Sequence, residues 1–460
     1  MSEKEVPGNT PPRNFCASPW IEGVLRTDNA DTKICCKNPT SLGSWAGGNI
    51  GKSWMSSVAN RIREEVAAGR YPDNYCETCH KNNTSLKLFQ LLNKPLSEYL
   101  RLFAAKGWQE TDTIEALRPI FQKTTMDGEA QAALADLREL CARHLVQAKE
   151  NGWDEHALAC EKLGVIADIT EDFLNGESRP RHVAPFRQIT LIAVCNARCV
   201  HCKGLYTGEI DEGIKQSDGS NFRWMDLEEF EDTMTHSESV IDYFTNGSET
   251  LFHKEWQAVS DRLRQEGVRL RISTNGMLLT PDHIDTMIDN DYVGKLNISL
   301  DGATPETIES IRVRVKYDRV MRNIEYLLEK LHREQKHLPI SFSFVIMKEN
   351  CAEIPLYLDL IHKLWEGKDV HKPVIMFQPL SQIGPDTYGE FISKHHHSLY
   401  PEDKLKAAFE EAADKATEYG ITTFVFNNRR IQDFVADGAH APKLNFQIAV
   451  VNLFEEEEEA

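Results

Sequence analysis

The chain lacks the long apolar runs of a membrane protein. It has 460 residues, of which 41% are hydrophobic, and its longest apolar stretches are the length of a β-strand. Spanning a bilayer takes ~20 consecutive apolar residues. The first residues, MSEKEVPGNTPPRNF, are polar and contain no apolar core, which excludes a secretory signal. The sequence therefore predicts a cytoplasmic protein without membrane segments.

Basic residues are also in short supply. The chain has 52 lysines and arginines against 71 aspartates and glutamates, which gives a formal net charge of −19. Proteins built chiefly to hold nucleic acid show the opposite balance, so we do not expect a nucleic-acid partner. At roughly 100–200 residues per domain, the length predicts two or three domains.

Cysteine, by contrast, is present in number, with 11 residues. Most of them fall into two groups. The first group is Cys16, Cys35, Cys36, Cys76 and Cys79, and the second is Cys195, Cys199 and Cys202. Grouped thiols in a protein that is not exported bind metal more often than they form disulfides. Cys141 and Cys160 lie on amphipathic helical stripes and are interpreted as core residues.

Composition divides the chain into five segments. Residues 1–13 form a polar lead that we expect to be disordered. Residues 14–83 are rich in loops and carry the first cysteine group, and residues 84–180 have helical periodicity. Residues 186–385 alternate strand-like and helical patterns. Residues 386–460 are a less regular extension that ends in an acidic tail.

Six strand-like runs alternate with amphipathic helices in the fourth segment. The runs are residues 189–194, 240–245, 268–274, 295–300, 339–347 and 373–380. Repeated β–α units specify a parallel sheet with right-handed crossovers. The predicted fold class is therefore α/β, with a partial (β/α)6 barrel of the TIM type, a small N-terminal module and a helical segment. In such barrels the chemistry gathers at the carboxyl ends of the strands.

Cys195, Cys199 and Cys202 follow directly on the first of these runs. A tight loop with this spacing can direct three thiolates at an iron–sulfur cluster, zinc or copper(I). Because no fourth cysteine is near, one metal position stays open, which is typical of a catalytic site. The alternative is a zinc knuckle with His201 as fourth ligand, but ligands adjacent in sequence give poor tetrahedral geometry.

The CxxxCxxC spacing after the first strand resembles the signature of the radical S-adenosylmethionine (radical SAM) superfamily. The resemblance implies a [4Fe–4S] cluster held by the three cysteines, with an open iron that binds S-adenosylmethionine. It also implies reductive cleavage of that cofactor to a 5′-deoxyadenosyl radical, which removes a hydrogen atom from the substrate. The protein's own part is then to position the cofactor and exclude water.

The ends of the next strands resemble cofactor-binding elements of the same superfamily. The residues implied are Asn246, Gly247, Ser248, Glu249, Ser273, Asn275, Ser299 and Asp301. Glu249 belongs to a segment similar to GGEPL, whose acceptors bind the cofactor's ammonium group, although Ser248 and Thr250 depart from that pattern. Arg312 takes the position of the arginine that pairs with the cofactor's carboxylate. His201 takes the position of an aromatic side chain placed against the adenine.

The first cysteine group forms a second pattern. Cys76 and Cys79 make a CxxC pair, and Cys16 with either Cys35 or Cys36 completes four thiolates. A closed set of four suits a cluster for electron transfer or structure, and spacing alone leaves zinc as an alternative. The order of these residues resembles the SPASM/twitch module, which implies an auxiliary cluster with Cys35 as the favoured ligand. Relatives usually carry this module after the barrel, whereas here it precedes the barrel.

Two further features have a structural and a chemical interpretation. Cys351 falls beyond the fifth strand, where some relatives return a hydrogen atom from a cysteine to a substrate radical. A free thiol near a helix start is the other interpretation, and we favour it. The run His395–His397 is interpreted as a polar loop between two helices, with metal binding as its alternative.

For function, the resemblance implies an enzyme that modifies a ribosomally made peptide by epimerisation, crosslinking or excision. The alternative within the superfamily is a dehydrogenase or epimerase of a sugar or aminocyclitol. A more distant alternative is a metal-stabilised binding protein without catalysis. The resemblance also implies an electron donor such as flavodoxin or ferredoxin, and a separate protein that recognises the peptide is a further candidate partner.

Overall fold

The computed structural model describes residues 11–26, 30–35, 38–81, 87–105, 111–192, 194–202, 224–235, 240–245, 248–380, 388–425 and 429–430. The strands in these ranges are β1 (Glu22–Arg26), β2 (Asp31–Lys33), β3 (Ser41–Ser44), β4 (Phe186–Ile189), β5 (Arg198–Cys199), β6 (Asp242–Thr245), β7 (Leu270–Thr274), β8 (Val293–Ser299), β9 (Arg312–Val313), β10 (Ile340–Ile346), β11 (Val374–Pro379), β12 (Thr422–Val425) and β13 (Arg429–Arg430).

The helices of the described chain fall before, between and after the parallel strands. They are α1 (Ser18–Ile21), α2 (Ile50–Trp54), α3 (Ser57–Ala67), α4 (Asn74–Lys81), α5 (Leu88–Ala105), α6 (Thr111–Glu115), α7 (Leu117–Ile120), α8 (Gly128–Glu150), α9 (Asp154–Asn175), α10 (Leu227–Thr235), α11 (Trp256–Gln265), α12 (Pro281–Asp289), α13 (Pro305–Ile311), α14 (Tyr317–Glu334), α15 (Ile354–Trp365), α16 (Tyr388–His395) and α17 (Glu402–Tyr419). Single turns of 3₁₀ helix occupy Thr250–Phe252, Cys351–Glu353 and His397–Leu399.

Eleven strands form one sheet, in the order β13-β12-β11-β10-β8-β7-β6-β4-β1-β2-β3. In its centre β4, β6, β7, β8, β10 and β11 are all parallel to their neighbours. Helices join these strands, as right-handed crossovers require. The α/β fold is thus confirmed, with the six consecutive parallel strands expected of a partial TIM-type barrel. On the two flanks β12 and β1 add further parallel strands.

The first strand of the barrel ends earlier than the sequence predicts. The apolar run 189–194 was the expected strand, but β4 ends at Ile189. Its neighbours β1 and β6 pair with β4 as far as Ile189, and the Thr190 amide makes one further hydrogen bond to the Leu25 carbonyl at 3.2 Å. Leu191 and Ile192 are buried outside the ladder instead, and Ile192 forms a single bridge with Trp224.

Helix ends follow from local sequence signals. Thr280 and Thr304 cap α12 and α13 with their side-chain oxygens, and a proline occupies the first turn of each helix. At the other end, Gly176 terminates α9 with a φ of 71°, in the left-handed region that glycine adopts without steric cost. These signals make the helices that connect the parallel strands predictable to within a few residues.

Alternation along the strands gives the sheet two different faces. One face packs apolar side chains, such as Ile272, Ile298 and Phe344, into the main core with the helices. The opposite face is polar where β6, β7, β8 and β10 lie side by side. Its buried polar residues are Asp242, Arg271, Lys295, Asn297, Ser341 and Ser343. Fully packed barrels fill this interior with branched apolar side chains, so the polar face differs from such a core.

A second core joins the N-terminal elements to the helices α5–α9. It includes Trp20 and Trp54 from the first part of the chain and Leu137, Cys141 and Cys160 from α8 and α9. The two cysteines are core residues, as predicted. Because both parts contribute to one continuous core, the N-terminal elements and the helices are held together by apolar burial.

Arg63 reinforces that junction. It is fully buried, and its guanidinium donates to the carbonyls of Pro19, Trp54 and Ser178. Burial lowers the pKa of Arg63 to about 9. The three carbonyls belong to α1, α2 and the segment after α9, so one side chain connects the N-terminal elements to the residues that lead into β4.

The C-terminal extension returns to the sheet through α17 and β12. The histidine run His395–His397 spans the end of α16 and a 3₁₀ turn. His395 Nδ1 lies 2.7 Å from Glu349 Oε1. The acidic tail, Asn246, Gly247 and Cys36 lie outside the described residues. Within the described part, no helix has both the length and the apolarity to cross a membrane.

Candidate active site

A two-stranded ribbon anchors the loop that carries the cysteine triplet. β5 pairs antiparallel with β9, with Cys199 opposite Arg312, and the Cys202 amide donates to the Cys199 carbonyl at 3.0 Å. Cys195 and Cys199 are partly buried, whereas Cys202 is exposed. The Cys195 thiol lies within electrostatic range of both other thiols. The predicted triplet is therefore gathered at one place beyond the end of β4.

Burial makes these thiols weak acids. It raises the pKa of Cys195 to about 12, with a further contribution from the Glu249 carboxylate. Burial also raises the pKa of Cys199 to about 11, while Arg312 acts in the opposite direction. Thiolate ligands must lose their protons when metal binds. Three soft donors on one loop fit the ligand set of an iron–sulfur cluster.

The first cysteine group is more loosely arranged. Asn38 bridges two cysteines of this group. Its backbone amide donates to the Cys35 sulfur at 3.3 Å, and its side-chain nitrogen donates to the Cys76 sulfur at 3.5 Å. Burial raises the pKa of Cys76, as do Asp73 and the nearby Cys35 and Cys16 thiols. Cys79 lies three residues after Cys76 on α4, on the same side of that helix.

In each cysteine group, the structure thus places several thiols near one another. In that part of the chain, no three histidine, cysteine or carboxylate side chains are arranged to hold a single metal ion. An iron–sulfur cluster is larger than one ion and takes its thiolates from several directions. We therefore judge the fit of each group to a cluster by the number of its thiols and by their proximity.

Glu249 is a fully buried carboxylate beside the triplet. Its Oε1 accepts from the Thr274 hydroxyl at 2.7 Å, and its Oε2 accepts from the Asn275 amide at 2.8 Å. Both donors lie at the carboxyl end of β7, so adjacent strand ends hold one acidic group. Burial raises the pKa of Glu249 to about 7, although these hydrogen bonds and Arg312 oppose the shift. The site therefore contains an acid that a bound cation would ionise.

The raised pKa of Glu249 gives a prediction about stability. Glu249 has an ordinary pKa of 4.5 and a folded-state pKa of about 7. Between these values the unfolded chain releases its proton first, so the wild-type protein loses stability as the pH rises through this window. In Glu249→Gln that loss is absent. We expect the variant to gain roughly 3 kcal/mol relative to wild type between pH 4 and pH 8.

Urea unfolding of the metal-free proteins at the two pH values measures this difference. Glu306→Gln is the matched control, because Glu306 is exposed at the start of α13. An equal difference between Glu249→Gln and wild type at both pH values contradicts the prediction.

Asn275 touches the triplet directly. Its side-chain nitrogen donates to Asn196 Oδ1 at 2.7 Å and to the Cys195 sulfur at 3.6 Å. The following Gly276 has a φ of 80°, and a Cβ there would approach Val320 to 2.8 Å. The turn after β7 thus needs glycine, and it directs Asn275 at a candidate metal ligand. Asn196, inside the triplet, is a functional candidate that sequence reasoning missed.

Arg312 and Asp301 form a buried ion pair on the other side of the triplet. Arg312 Nη2 lies 2.8 Å from Asp301 Oδ2, and Nη1 donates to the Cys199 sulfur at 3.6 Å. Burial opposes the charge on Arg312, but Asp301 and Cys199 outweigh it and raise the pKa of the guanidinium. Arg312 Nε is buried and has no hydrogen-bond acceptor among the described residues. One donor of this arginine therefore remains for a bound acceptor.

Asp301, which the resemblance implied for cofactor binding, is fully buried. Its carboxylate accepts from the Val345 amide at 2.8 Å and pairs with Arg312. His201 Nε2 lies 3.6 Å from the same carboxylate. Burial lowers the pKa of His201 to about 4, so its ring is neutral at physiological pH.

Residues beyond β10 support this pair, and sequence reasoning missed them. Asn350 is buried and donates to the Asp301 carbonyl at 3.0 Å. Glu353 accepts from the Ala303 and Thr304 amides at 2.6 and 3.2 Å, at the start of the helix that leads to Arg312. The sequence does contain a signal for these two residues, because Asn350 and Glu353 lie on either side of Cys351, just beyond the end of β10.

Cys351 itself points elsewhere. It is fully buried in the main core, and its thiol donates to the Met347 carbonyl at 3.1 Å. This environment gives no support to a hydrogen-atom donor, and it matches the alternative of a thiol at a helix start. Ser273 and Ser299 lie on the polar face of the sheet, where Ser273 accepts from Asn297 at 3.3 Å.

The polar face of the sheet is internally hydrogen bonded. Arg271 pairs with Asp242 at 3.0 Å. Asn297 Oδ1 accepts from the Ser341 and Ser343 hydroxyls at 3.1 and 3.0 Å. Buried polar groups keep fixed positions when they are satisfied in this way. This face of the sheet is therefore polar and ordered.

Comparisons with known proteins bear on the same region. The sequence profile described as the radical SAM superfamily matches residues 189–360. The AdoMet-dependent heme synthase of Methanosarcina barkeri is 27% identical over 175 residues, which is 38% of this chain and 46% of the relative. Mycofactocin maturase MftC of Mycolicibacterium smegmatis is 25% identical over 166 residues, which is 36% of this chain and 38% of the relative. The matched region is less than half the length of either relative.

Comparison with solved structures gives only partial matches to two proteins. SuiB of Streptococcus suis is 12% identical with a TM-score of 0.37, over 70% of this chain and 65% of SuiB. A radical SAM methyltransferase from Sphaerobacter thermophilus is 14% identical with a TM-score of 0.35, over 54% of this chain and 67% of that protein.

Proposed function

We propose that the chain is an enzyme that cleaves S-adenosylmethionine reductively and removes a hydrogen atom from a peptide, and the match of residues 189–360 to the radical SAM superfamily profile supports this proposal. One observation carries the proposal. Three thiols lie on a single anchored loop, with a buried carboxylate, Glu249, and a buried guanidinium, Arg312, within electrostatic range of them. This set offers ligands for a metal cluster and partners for the two charged groups of an amino acid.

The chain's own residues divide the work. Cys195, Cys199 and Cys202 would hold a [4Fe–4S] cluster, which supplies the electron for cleavage of the sulfonium. Glu249 is held in place by two donors from the end of β7 and would accept the cofactor's ammonium group. Arg312 has a spare donor at Nε, which would serve the carboxylate of the same cofactor.

Placement of the charges also favours binding of a zwitterion. Glu249 and Arg312 influence each other electrostatically across the site. A cation bound at Glu249 stabilises its ionised form, and an anion bound at Arg312 offsets the cost of burying the guanidinium.

A peptide is the proposed substrate class. Two mycofactocin maturases support it by their similarity to this region.

 The maturases are those of Mycolicibacterium smegmatis and Mycobacterium tuberculosis, and each matches about the same part of the chain. The ordered polar face of the sheet suits hydrogen bonding to peptide amides or polar side chains. The type of modification, whether epimerisation, crosslinking or excision, belongs to the same proposal.

The second candidate is a small-molecule substrate such as a sugar or aminocyclitol. The observation that favours it is the polar face of the sheet, because its Asn297, Ser341 and Ser343 side chains offer amide and hydroxyl groups to a polyol. The similarity to a heme synthase also shows that relatives of this region include enzymes with substrates other than peptides.

We further propose that the first cysteine group holds an auxiliary cluster. Cys16 and Cys35 both lie near Cys76, and Cys79 follows Cys76 on the same helix. Anaerobic reconstitution should then give roughly 8 iron atoms per chain, and Cys76→Ala roughly 4. Iron and zinc are counted by plasma emission spectrometry. If the wild-type protein retains zinc together with only about 4 iron atoms, the first cysteine group is a zinc site and the proposal of an auxiliary cluster is wrong.

The experiment that tests the enzyme proposal is anaerobic turnover. The reconstituted protein is mixed with dithionite, S-adenosylmethionine and the peptide encoded by a short reading frame beside its gene. We expect 5′-deoxyadenosine by liquid chromatography and a mass change in the peptide. Formation of 5′-deoxyadenosine without a peptide change favours the small-molecule alternative, and the absence of both under strict anaerobiosis contradicts the enzyme proposal.

A further inference from the structure

The first cysteine group gathers negative charge. The described groups that act electrostatically on the Cys76 thiol are Asp73 and the Cys16 and Cys35 thiols, and all three disfavour its ionisation. Asp73 is fixed beside it, since its Oδ1 accepts from the Cys76 amide at 2.8 Å and its Oδ2 accepts from the Asn38 side chain at 2.7 Å. Thiols lose their protons when they bind metal. A metal-bound group would therefore add several negative charges beside a half-buried carboxylate.

Lys87 brings a cation to this group. Its Nζ donates to the Phe15 carbonyl at 2.9 Å, and Phe15 is the residue before Cys16. Burial lowers the pKa of Lys87, and the Cys16 thiol acts in the opposite direction, so the ammonium group and this thiol lie within electrostatic range of each other. Lys87 is half-buried, and solvent ions screen its charge less than that of an exposed lysine.

The helical segment holds this lysine in place. Lys87 directly precedes α5, and the next residue, Leu88, is buried in the second core. The Phe89 amide donates to the Phe121 carbonyl at 3.2 Å, which fixes the first turn of α5 to the end of α7. Phe15 is buried in the same core. Packing therefore fixes the chain on both sides of the hydrogen bond between Lys87 and Phe15.

We propose that Lys87 balances the negative charge of the first cysteine group and raises the reduction potential of the cluster held there. The inference rests on the proposed auxiliary cluster. It also gives the helical segment a part in that site, which the sequence did not indicate. Lys87 is not a ligand in this proposal, because it acts on the cluster through its charge.

The direction of the effect follows from electrostatics. Reduction adds one electron to a cluster, so the reduced cluster carries one more negative charge than the oxidised cluster. A cation in a partly buried position stabilises the more negative of the two states more strongly. Net charge and solvent exposure are among the factors that set the potentials of iron–sulfur clusters. Loss of the Lys87 charge should therefore make the auxiliary cluster harder to reduce.

Support of the chain beside Cys16 is a second effect of Lys87, and it has to be separated from the effect of charge. A lysine that only supports the chain could be replaced by another hydrogen-bond donor. Lys87→Gln keeps a side-chain N–H donor and removes the charge, whereas Lys87→Arg keeps both. A shift in potential that appears in Lys87→Gln and not in Lys87→Arg is therefore an effect of charge.

A redox titration of the full-length chain tests the proposal. The parent protein carries Cys195→Ala/Cys199→Ala/Cys202→Ala, so that the cluster signal comes from the first cysteine group, and it is reconstituted anaerobically. Stepwise reduction with dithionite, followed by electron paramagnetic resonance, gives the midpoint potential. At the midpoint of the parent, we expect the ratio of reduced to oxidised cluster to be about tenfold lower in Lys87→Gln. For a one-electron couple this is a decrease of about 59 mV in the midpoint potential. Lys87→Arg should titrate like the parent.

Lys52→Gln is the matched control. Lys52 is an exposed lysine of the N-terminal elements, and it also donates to an oxygen, Asn49 Oδ1, at 3.0 Å. Its substitution should leave the midpoint potential unchanged. Equal midpoints in Lys87→Gln and the parent overturn the inference, as do equal shifts in Lys87→Gln and Lys87→Arg. If the reconstituted parent shows no cluster signal, the auxiliary cluster itself is wrong and the inference is wrong with it. The enzyme proposal is tested separately, because it depends on the triplet.

Discussion

Cys199→Ala should reduce the formation of 5′-deoxyadenosine from S-adenosylmethionine to the background level. Cys199 is the member of the triplet with the most structural support, since it lies in β5 opposite Arg312 and its sulfur accepts from that guanidinium. Loss of an outer partner of a metal ligand costs about 10–100-fold in affinity or activity. Loss of a ligand itself, with only two thiolates left on the loop, should exceed that range.

The measurement is 5′-deoxyadenosine per chain after anaerobic incubation with dithionite and S-adenosylmethionine. Cys160→Ala is the matched control, because Cys160 is a buried cysteine of the helical core and makes no contact with the triplet. It should cost packing energy but leave 5′-deoxyadenosine formation intact. Substantial product from Cys199→Ala, with iron content equal to wild type, would remove this loop from the proposed mechanism.

The triplet and the strands around it show which information local sequence carries. The six strand-like runs and the order of the motifs after them are local patterns, and each needs only a few adjacent residues to be recognised. The fold class followed from them because repeated β–α units admit few topologies. Glu249 and Asn275 were candidates for the same reason, and the structure brings both to Cys195.

Pairing between distant residues could not be predicted in the same way. Asp301 was a candidate for cofactor contact, yet it pairs with Arg312 and with the amide of Val345, which is 44 positions later in the chain. That choice depends on how β8, α13 and β10 pack, and no local pattern specifies it. The same holds for Asn350 and Glu353, whose partners lie in the β8–α13 connection.

Strand ends illustrate the limit on a smaller scale. Residues 189–194 have the apolar, branched composition of a strand, but β4 ends at Ile189, where its regular pairing with β1 and β6 ends. The composition decides that these residues are buried, and the neighbours decide whether they join the ladder. The same limit applies to the Arg312–Asp301 ion pair, because the effect of a charged side chain on stability depends on the residues packed around it.

Asp301→Ala should destabilise the protein by about 3–5 kcal/mol, because it leaves the buried Arg312 charge without its partner. Asp301 is fully buried and Arg312 is 6% exposed, so solvent cannot replace the lost carboxylate. The Val345 amide also loses its acceptor. Urea unfolding of the metal-free protein at pH 7, followed by circular dichroism, measures the change in the free energy of unfolding.

Two further variants separate charge from packing. Asp301→Asn keeps an acceptor for the Val345 amide but removes the charge, so its cost should fall between wild type and Asp301→Ala. Asp301→Ala/Arg312→Ala removes both charges, and it should cost less than the sum of the single substitutions because no unpaired charge remains. Strict additivity contradicts a coupled pair. Since Arg312 also contacts the Cys199 sulfur, the carboxylate that stabilises the fold would be the one that keeps this guanidinium at the candidate cluster site.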